Sequence, residues 1–165
     1  MSGISFPITR SDRLEPTSRG GFCYSDLIVA DGPVDYPLVT GLDVLLALDQ
    51  VGADASRGRL EPGALVLADA RLTPEPPAGD VVLHSFPLTD RAIALGSPRG
   101  ANMVSLGALM GLTGLCSREH LEQAVAAGTP KSFRDRNLEA VAEGYRLAAE
   151  AAGAEAVPGR IPVAG

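Results

Sequence analysis

Short apolar runs, separated by turn residues, fill the first half of the chain. Residues 44–48 (VLLAL) and 64–68 (ALVLA) are continuously apolar, a pattern typical of strands that are covered on both faces. Residues 81–86 (VVLHSF) predict another strand, and residues 22–30 (FCYSDLIVA) predict one that is polar at alternate positions near its start. The pattern therefore places several strands ahead of any helix of substantial length.

Two other segments in this half need a separate interpretation. Residues 4–9 are a weaker strand candidate, because Pro7 cannot donate a hydrogen bond to a neighbouring strand. Residues 73–79 (TPEPPAG) are rich in proline and lie between apolar strands. They predict a surface loop within one domain and not a linker between two domains.

The second half of the chain has helical patterns. Asp90 predicts the N-cap of a short helix that stops at Gly96. Residues 101–112 are almost entirely apolar and predict a buried helix. Its glycines, Gly107 and Gly111, lie on one side of the helix, so another backbone can approach that side closely.

Two further helices are predicted after the apolar one. Ser117 predicts the cap of a helix that runs through residue 127 and ends at Gly128, with Glu119 in the first turn, where the helix dipole favours an anion. A last amphipathic helix is predicted for residues 133–152. Its apolar positions fall on one face at three- and four-residue steps, namely Leu138, Val141, Tyr145 and Ala148.

The order of these elements predicts the fold class. Strands first and helices mostly afterwards indicate an α/β layered fold, with helices packed on a mixed or mainly parallel sheet. A chain of 165 residues suits one domain. We expect that domain to span residues 1–152, followed by a C-terminal tail at 153–165 that has two prolines and little periodicity.

Composition excludes several classes of function. The formal net charge is −6 and no basic cluster is evident, whereas nucleic-acid binding requires grouped Lys and Arg. The two cysteines, Cys23 and Cys116, are too few for the four thiolates that usually hold an iron–sulfur cluster. His84 and His120 have no metal-ligand spacing with other residues. We therefore expect no metal and no cofactor in this chain.

We expect neither a secretory signal peptide nor a membrane span in this sequence. The N-terminus lacks the basic region and apolar run of a signal peptide. The longest apolar stretch, residues 101–115, is shorter than the roughly 20 residues of a membrane span. We expect a cytoplasmic protein without a membrane partner.

Three places in the sequence suggest a contact with a ligand or partner, and each has a structural alternative. The glycines of Arg19-Gly20-Gly21 permit either a tight turn into a strand or N–H groups that cradle an anion. Asn102 either caps a backbone or bonds a ligand or a partner's loop. Lys131, the only lysine, either contacts a ligand or partner or is a solvated residue at the start of a helix. No nucleophile–base pair or phosphate-binding loop is present, so we assign no catalytic residue.

Several short motifs occur in a fixed order along the chain. They are SRGG at 18–21, YSDLI at 24–28, VDYP at 34–37, DVLLAL at 43–48, PG at 62–63, ANMV at 101–104, LGAL at 106–109, NLEA at 137–140 and GY at 144–145. In this order they resemble the gamma domain of pyruvate, 2-oxoglutarate and related 2-oxoacid:ferredoxin oxidoreductases. The resemblance covers about residues 16–150, and the segment VDYPLV followed by DVL is most similar to the 2-oxoglutarate branch.

This resemblance implies the role of a non-redox gamma subunit. The complete enzyme would decarboxylate a 2-oxoacid, with coenzyme A as co-substrate, and transfer electrons to ferredoxin. Thiamine pyrophosphate, Mg and iron–sulfur clusters would lie in partner chains, namely thiamine pyrophosphate-binding alpha and beta subunits and a ferredoxin-like subunit. Our candidates for a ligand or subunit contact in this chain are Arg19, Gly20, Gly21, Asn102, Lys131 and Asn137.

One departure from the family pattern and two alternatives stay open at this point. Members of the family normally begin with a strand, a Gly-x-Gly-Gly-Gln-Gly loop and a helix, and no such loop precedes Arg19. We therefore expect this first strand, loop and helix to be missing or supplied by a partner chain. The alternative function is a free-standing interaction or regulatory module without catalytic activity. The second alternative function is an independent enzyme that acts on coenzyme A esters. No nucleophile or base is placed in the sequence to support it.

Overall fold

The computed structural model describes residues 8–14, 23–29 and 39–154, of which 8–14 and 154 are described by their backbone. It contains five strands and five α-helices over these residues, together with short 3-10 turns at Arg57–Arg59 and Pro98–Gly100. The elements, in chain order, are β1 Ile8–Leu14, β2 Cys23–Val29, β3 Leu42–Ala47, α1 Gln50–Ser56, β4 Leu60–Asp69, β5 Val81–Phe86, α2 Leu88–Ala94, α3 Ala101–Thr113, α4 Arg118–Gly128 and α5 Lys131–Ala154.

The described strands form two separate sheets. Strands β3, β4 and β5 are parallel and lie in that order, so β4 is central. In register, Leu45 pairs with Val66, and Leu67 pairs with His84. Strands β1 and β2 form an antiparallel hairpin of their own, in which Ile8 pairs with Val29 and Leu14 with Cys23. The fold class predicted from the sequence is confirmed, with the parallel part confined to three strands.

Helices cover both faces of the parallel sheet, because its strands carry apolar residues at consecutive positions. On one face Leu67 and Phe86 pack with residues of α2, α3 and α5. On the other face Leu45, Ala47 and Val66 pack against Ala53 of α1. The prediction that residues 44–48 and 64–68 are covered on both faces is therefore confirmed.

Helices α3 and α5 approach each other closely at glycines. A Cβ atom built on Gly107 would overlap the backbone carbonyl of Val141, and one built on Gly144 would overlap the carbonyl of Val104. At Gly111 a Cβ would lie 2.7 Å from the Cβ of Ala148. The contact is thus backbone against backbone, and the predicted role of Gly107 and Gly111 in close packing is confirmed.

Helix α4 completes this layer on the outer side of α5. Leu121 and Val125 pack against Val141. The hydroxyl of Ser117 accepts a hydrogen bond from the backbone N–H of His120 at 3.2 Å, which is the predicted N-cap. Helix α4 ends at Gly128, as predicted.

A buried carboxylate joins the end of β4 to the start of α2. Oδ1 of Asp69 accepts from the N–H groups of Arg71 and Leu72 at 2.9 and 3.0 Å, and Oδ2 accepts from the N–H of Thr89 at 2.7 Å. Burial acts to raise the pKa of Asp69, but the hydrogen bonds from Thr89, Leu72 and Arg71 outweigh it, so the pKa lies below its usual value. Asp69 therefore remains ionised inside the fold.

Some of the predicted boundaries and one cap were wrong. The N-cap position before α2 is Pro87, and Asp90 lies in the first turn, where it pairs with Arg71 at 3.0 Å. The carboxylate of Asp69 supplies the acceptor that was assigned to Asp90, from a position far away in sequence. Of the strand predicted at residues 4–9, residues 8 and 9 belong to β1, which continues to Leu14. The remainder of the 4–9 prediction lies outside the described residues.

The other boundaries differ by small shifts. Strand β3 starts at Leu42 and ends at Ala47, whereas 44–48 was predicted. Helix α5 is longer than predicted at both ends, because it begins at Lys131 and continues to Ala154. The predicted tail from residue 153 therefore begins inside the last turn of α5, and residues 155–165 lie outside the described part of the chain.

Candidate functional site

An open cleft of about 460 Å³ lies where two helix starts meet. The 3-10 turn Pro98–Gly100 and the first turn of α3 form one wall, and the connection from α4 to α5 with the first turns of α5 forms the other. The lining residues are Ser97, Arg99, Gly100, Met103, Gly128, Thr129, Pro130, Phe133, Arg136 and Asn137. This cleft is the candidate functional site.

Local capping and turn residues build both walls. Ser97 accepts a hydrogen bond from the N–H of Arg99 through its hydroxyl at 3.3 Å, which stabilises the turn that leads into α3. On the opposite wall, Nδ2 of Asn137 donates to the hydroxyl of Thr129 at 3.3 Å. This bond ties the second turn of α5 to the end of α4. Asn137 is therefore held in a defined orientation beside the cleft.

The cations around the cleft have no ion-pair partner among the residues that the structure describes. Within the part of the chain whose side chains are described, six arginines pair with carboxylates, namely Arg57, Arg59, Arg71, Arg91, Arg118 and Arg146. Four described cations lack such a pair: Arg99, Lys131, Arg134 and Arg136. Arg99 and Arg136 line the cleft, while Lys131 and Arg134 belong to the first turn of α5.

The other polar groups at this place favour an anion as well. Of the described residues, no carboxylate lines the cleft, and nearby Asp135 is exposed without an ion pair to its described neighbours. Nε of Arg134 is buried without a hydrogen-bond partner in the described structure. The N-termini of α3 and α5 both face this region, and the positive ends of their dipoles add to the guanidinium charges. In a chain of formal charge −6, this is a local concentration of positive charge.

The cleft also has an apolar part. Phe133 is 53% exposed, and Met103 is half-buried. An aromatic ring beside two guanidinium groups suits a ligand that combines phosphate or carboxylate groups with a planar or apolar portion. The arrangement can bind and orient such a ligand. Among the residues that line the cleft, there is no nucleophile with an adjacent base.

The structure gathers three of the predicted site residues near the cleft. Asn137 lines it directly. Asn102 is exposed beside the lining residue Met103, and its Oδ1 accepts from the N–H of Met103 at 2.9 Å. Lys131 is exposed beside the lining residue Pro130. Arg19, Gly20 and Gly21 lie outside the described residues, so their predicted contacts stay predictions.

Sequence reasoning missed the arginines of this site. Arg99 and Arg136 line the cleft, although neither was singled out. A signal was present at the start of α5, where Lys131, Arg134 and Arg136 fall within six residues of an acidic chain. Arg99 gave no such signal, because its position beside Arg136 depends on the packing of α3 against α5.

The described residues contain no group of three His, Cys, Asp or Glu side chains placed to hold a metal ion. Among the helices in the described ranges, none is both long and apolar enough to cross a membrane. Both results refer to residues 8–14, 23–29 and 39–154.

Comparison with known sequences identifies the family. The sequence profile of the family described as pyruvate ferredoxin/flavodoxin oxidoreductase matches residues 5–147. Since the match spans most of the chain, the chain belongs to this family. The resemblance inferred from the ordered motifs is thereby confirmed.

Among curated relatives, 2-oxoglutarate synthase subunit KorC of Methanocaldococcus jannaschii is 36% identical over 138 residues, which cover 82% of this chain and 74% of KorC. Ketoisovalerate oxidoreductase subunit VorA of Methanothermobacter thermautotrophicus is 33% identical over 140 residues, covering 82% of this chain and 29% of VorA. Relatives of both kinds are subunits of 2-oxoacid oxidoreductases.

Solved structures give the same fold. The gamma subunit of a keto/oxoacid ferredoxin oxidoreductase from Geobacter sulfurreducens superimposes with a TM-score of 0.75 at 32% identity, covering 88% of this chain and 82% of that one. A 2-oxoglutarate:ferredoxin oxidoreductase from Magnetococcus marinus, solved with 2-oxoglutarate, coenzyme A and succinyl-CoA bound, superimposes with a TM-score of 0.78 at 20% identity. The superposed part is 89% of this chain and 26% of the M. marinus chain.

Proposed function

We propose that this chain is the non-redox gamma subunit of a 2-oxoacid:ferredoxin oxidoreductase that acts on 2-oxoglutarate and forms succinyl-CoA. The observation that carries the proposal is the 36% identity with a 2-oxoglutarate synthase subunit over 82% of this chain. The match to the ketoisovalerate subunit is weaker and makes a branched-chain 2-oxoacid the competing substrate. The family membership supports the type of reaction and the relatives support the substrate.

The redox chemistry in this proposal belongs to partner chains. Thiamine pyrophosphate and Mg would be bound by alpha and beta subunits, and the iron–sulfur clusters by a ferredoxin-like subunit, in a cytoplasmic hetero-oligomer. Two longer proteins support such partners, since the part that matches this chain makes up 29% of VorA and 26% of the M. marinus chain. In those proteins the equivalent domain is covalently joined to a polypeptide that is more than twice its own length.

The cleft is proposed as the contact with coenzyme A. Coenzyme A carries phosphate groups and an adenine ring, which match the unpaired guanidinium groups of Arg99 and Arg136 and the exposed ring of Phe133. Asn137, Asn102 and Lys131 would add polar contacts, and Arg19, Gly20 and Gly21 are further candidates. The presence of coenzyme A in the M. marinus structure supports this choice of ligand. In this role the chain binds and orients the co-substrate, and the cofactors of the partner chains supply the chemistry.

Reconstitution tests the function. The chain is co-expressed with its partner subunits, and the complex is assayed for reduction of a low-potential electron acceptor with 2-oxoglutarate and coenzyme A. We expect activity that requires this chain and that prefers 2-oxoglutarate to 2-oxoisovalerate. A complex that is equally active without the chain, or a chain that is purified from its source without thiamine- and cluster-containing partners, would contradict the proposal.

Charge removal in the cleft tests the site. Arg99→Gln with Arg136→Gln should raise the KM for coenzyme A about tenfold or more, because each lost charge-assisted hydrogen bond weakens binding appreciably. The kcat should change little. The control is Arg118→Gln, an arginine at the opposite end of α4 that pairs with Glu122 at 2.7 Å. An unchanged KM in the cleft variant would remove coenzyme A from this site without affecting the proposed function of the complex.

A further inference from the structure

The hairpin formed by β1 and β2 is separated from the rest of the domain in its packing. Every α-helix, and every other strand whose side chains are described, contributes at least one buried residue. Strand β2 contributes none, because its positions alternate between exposed and half-buried along its full length. Two strands alone are only marginally stable in water, so such a hairpin needs a further surface to pack on.

The two faces of β2 differ in what they contact. Asp26 lies on the half-buried face, and its Oδ2 pairs with Nη2 of Arg59 at 2.9 Å. Arg59 follows α1, so this face is directed toward the body of the domain. Because side chains alternate along a strand, the four exposed residues Cys23, Ser25, Leu27 and Val29 project from the opposite face. Leu27 is 56% exposed and Val29 is 43% exposed.

We infer that the outward face of the hairpin, defined by Cys23, Leu27 and Val29, is the docking surface for the partner subunit that corresponds to the rest of the longer relatives. The inference rests on the proposed function. It commits to that partner because the equivalent domain in VorA and in the M. marinus chain is joined to a much larger polypeptide. What is one polypeptide in those proteins is, in this inference, two chains that meet at the hairpin.

The side chains of the outward face determine which kind of partner surface can pack on it. Leu27 and Val29 are apolar, Cys23 behaves as a small apolar group, and Ser25 is the one polar side chain of the face and carries no charge. The complementary surface is therefore apolar, with no unpaired charge opposite Leu27, since a buried charge without a partner destabilises an interface. Exposed apolar side chains that are grouped on one face are typical of protein interaction sites.

The native cysteine provides the first test. Cys23 is exposed and Cys116 is half-buried, so a maleimide reagent reports on both in the chain alone and in the co-purified complex. We expect loss of Cys23 labelling in the complex and equal labelling of Cys116 in the two samples. Unchanged labelling of Cys23 in an intact complex would overturn this inference alone. A wild-type chain that retains no partner would overturn the proposed function and this inference together.

A charge substitution provides the second test. Leu27→Asp should weaken assembly about tenfold or more, because a carboxylate must then be buried against an apolar surface. Val51→Asp is the matched control, since Val51 is 62% exposed on α1 and should have no effect on assembly. Melting of both isolated variants checks folding, and the cysteine test stands if Leu27→Asp unfolds. Light scattering that shows a dimer of the wild-type chain, abolished by Leu27→Asp, would assign the face to a second copy and overturn the inference.

Discussion

The contact between α3 and α5 and the hairpin of β1 and β2 are opposite extremes of packing in one chain. At the helix contact two backbones meet at Gly107 and Gly144, with no space for a side chain. In β2 no residue is buried, and large apolar side chains face outward. The difference indicates where each part of the molecule obtains its stability. The helix layer is closely packed within the chain, whereas β2 buries none of its residues in the part of the chain that the structure describes.

The largest expected effect comes from filling the helix contact. Gly107→Leu should destabilise the chain by about 3 kcal/mol or more, because its Cβ would overlap the carbonyl of Val141 and the helices must separate. Thermal or denaturant unfolding measures the change.

A glycine of the same helix pair provides the control for this prediction. Gly153 lies in the last turn of α5, and a Cβ built on it meets nothing within 4 Å. Gly153→Ala should therefore be neutral or stabilise the chain by up to about 1 kcal/mol. If Gly107→Leu unfolds at the same denaturant concentration as the wild type, the close contact of the two backbones is refuted.

The next largest effect is expected at the buried carboxylate of Asp69, which joins the end of β4 to the start of α2. Asp69→Asn should destabilise the folded chain by about 1–3 kcal/mol. An amide NH₂ group must then face at least one of the three N–H groups that donate hydrogen bonds to the carboxylate. The control is Asp90→Asn, which removes only an exposed pair with Arg71. Equal stability of both variants would show that Asp69 does not hold α2 in place.

Acid unfolding tests the same carboxylate through its pKa. The pKa of Asp69 is lowered in the folded state, so its contribution is complete above the ordinary carboxyl pKa of about 3.9. The contribution is lost as the pH falls through the lower folded pKa. We expect Asp69→Asn to reduce the loss of stability between these two pKa values relative to the wild type. A wild-type stability that is flat across this acid range would contradict the assignment.

The sequence predicted the helix layer well, because its determinants are local. The apolar pattern of residues 101–112, the two glycines within it and the Ser117 cap are each visible within a few residues. The cap of α2 was assigned to Asp90, since sequence proximity favours it. The acceptor is Asp69, which lies beside the start of α2 only because β4 and β5 are adjacent.

The candidate site was predicted in part for a similar reason. Asn137 belongs to a motif of the family resemblance, and Lys131 was noticed as the only lysine; they lie in and beside the cleft, respectively. Arg99 was not found, because its charge acts together with that of Arg136 only after α3 and α5 have packed. Unpaired charge is a property of the folded chain, since it depends on which carboxylates come within reach of each guanidinium group.

A smaller effect is expected at the ion pair between Arg59 and Asp26, which connects the hairpin to the body of the domain. Arg59→Met removes the pair with Asp26 and the hydrogen bond to the carbonyl of Val39, at 2.9 and 3.0 Å. Global stability should fall by only about 0.5–1 kcal/mol. Hydrogen exchange of the β2 amides should accelerate, while exchange in α3 and α5 stays unchanged. Equal protection of β2 in the variant would show that the hairpin is held by other contacts.

The smallest effect should occur at the outward face of the hairpin in the isolated chain. Leu27→Ala should change the free energy of unfolding by less than about 0.5 kcal/mol, because Leu27 is already 56% exposed and its truncation leaves no internal cavity. The same substitution at Leu67, which is fully buried in β4, should destabilise by about 2–5 kcal/mol. Denaturant unfolding of the two variants, measured side by side, compares the two regions directly. A large loss at Leu27 would mean that the isolated chain already buries this face, by self-association or by contacts with residues outside the described ranges, and the contrast between the two regions would then disappear.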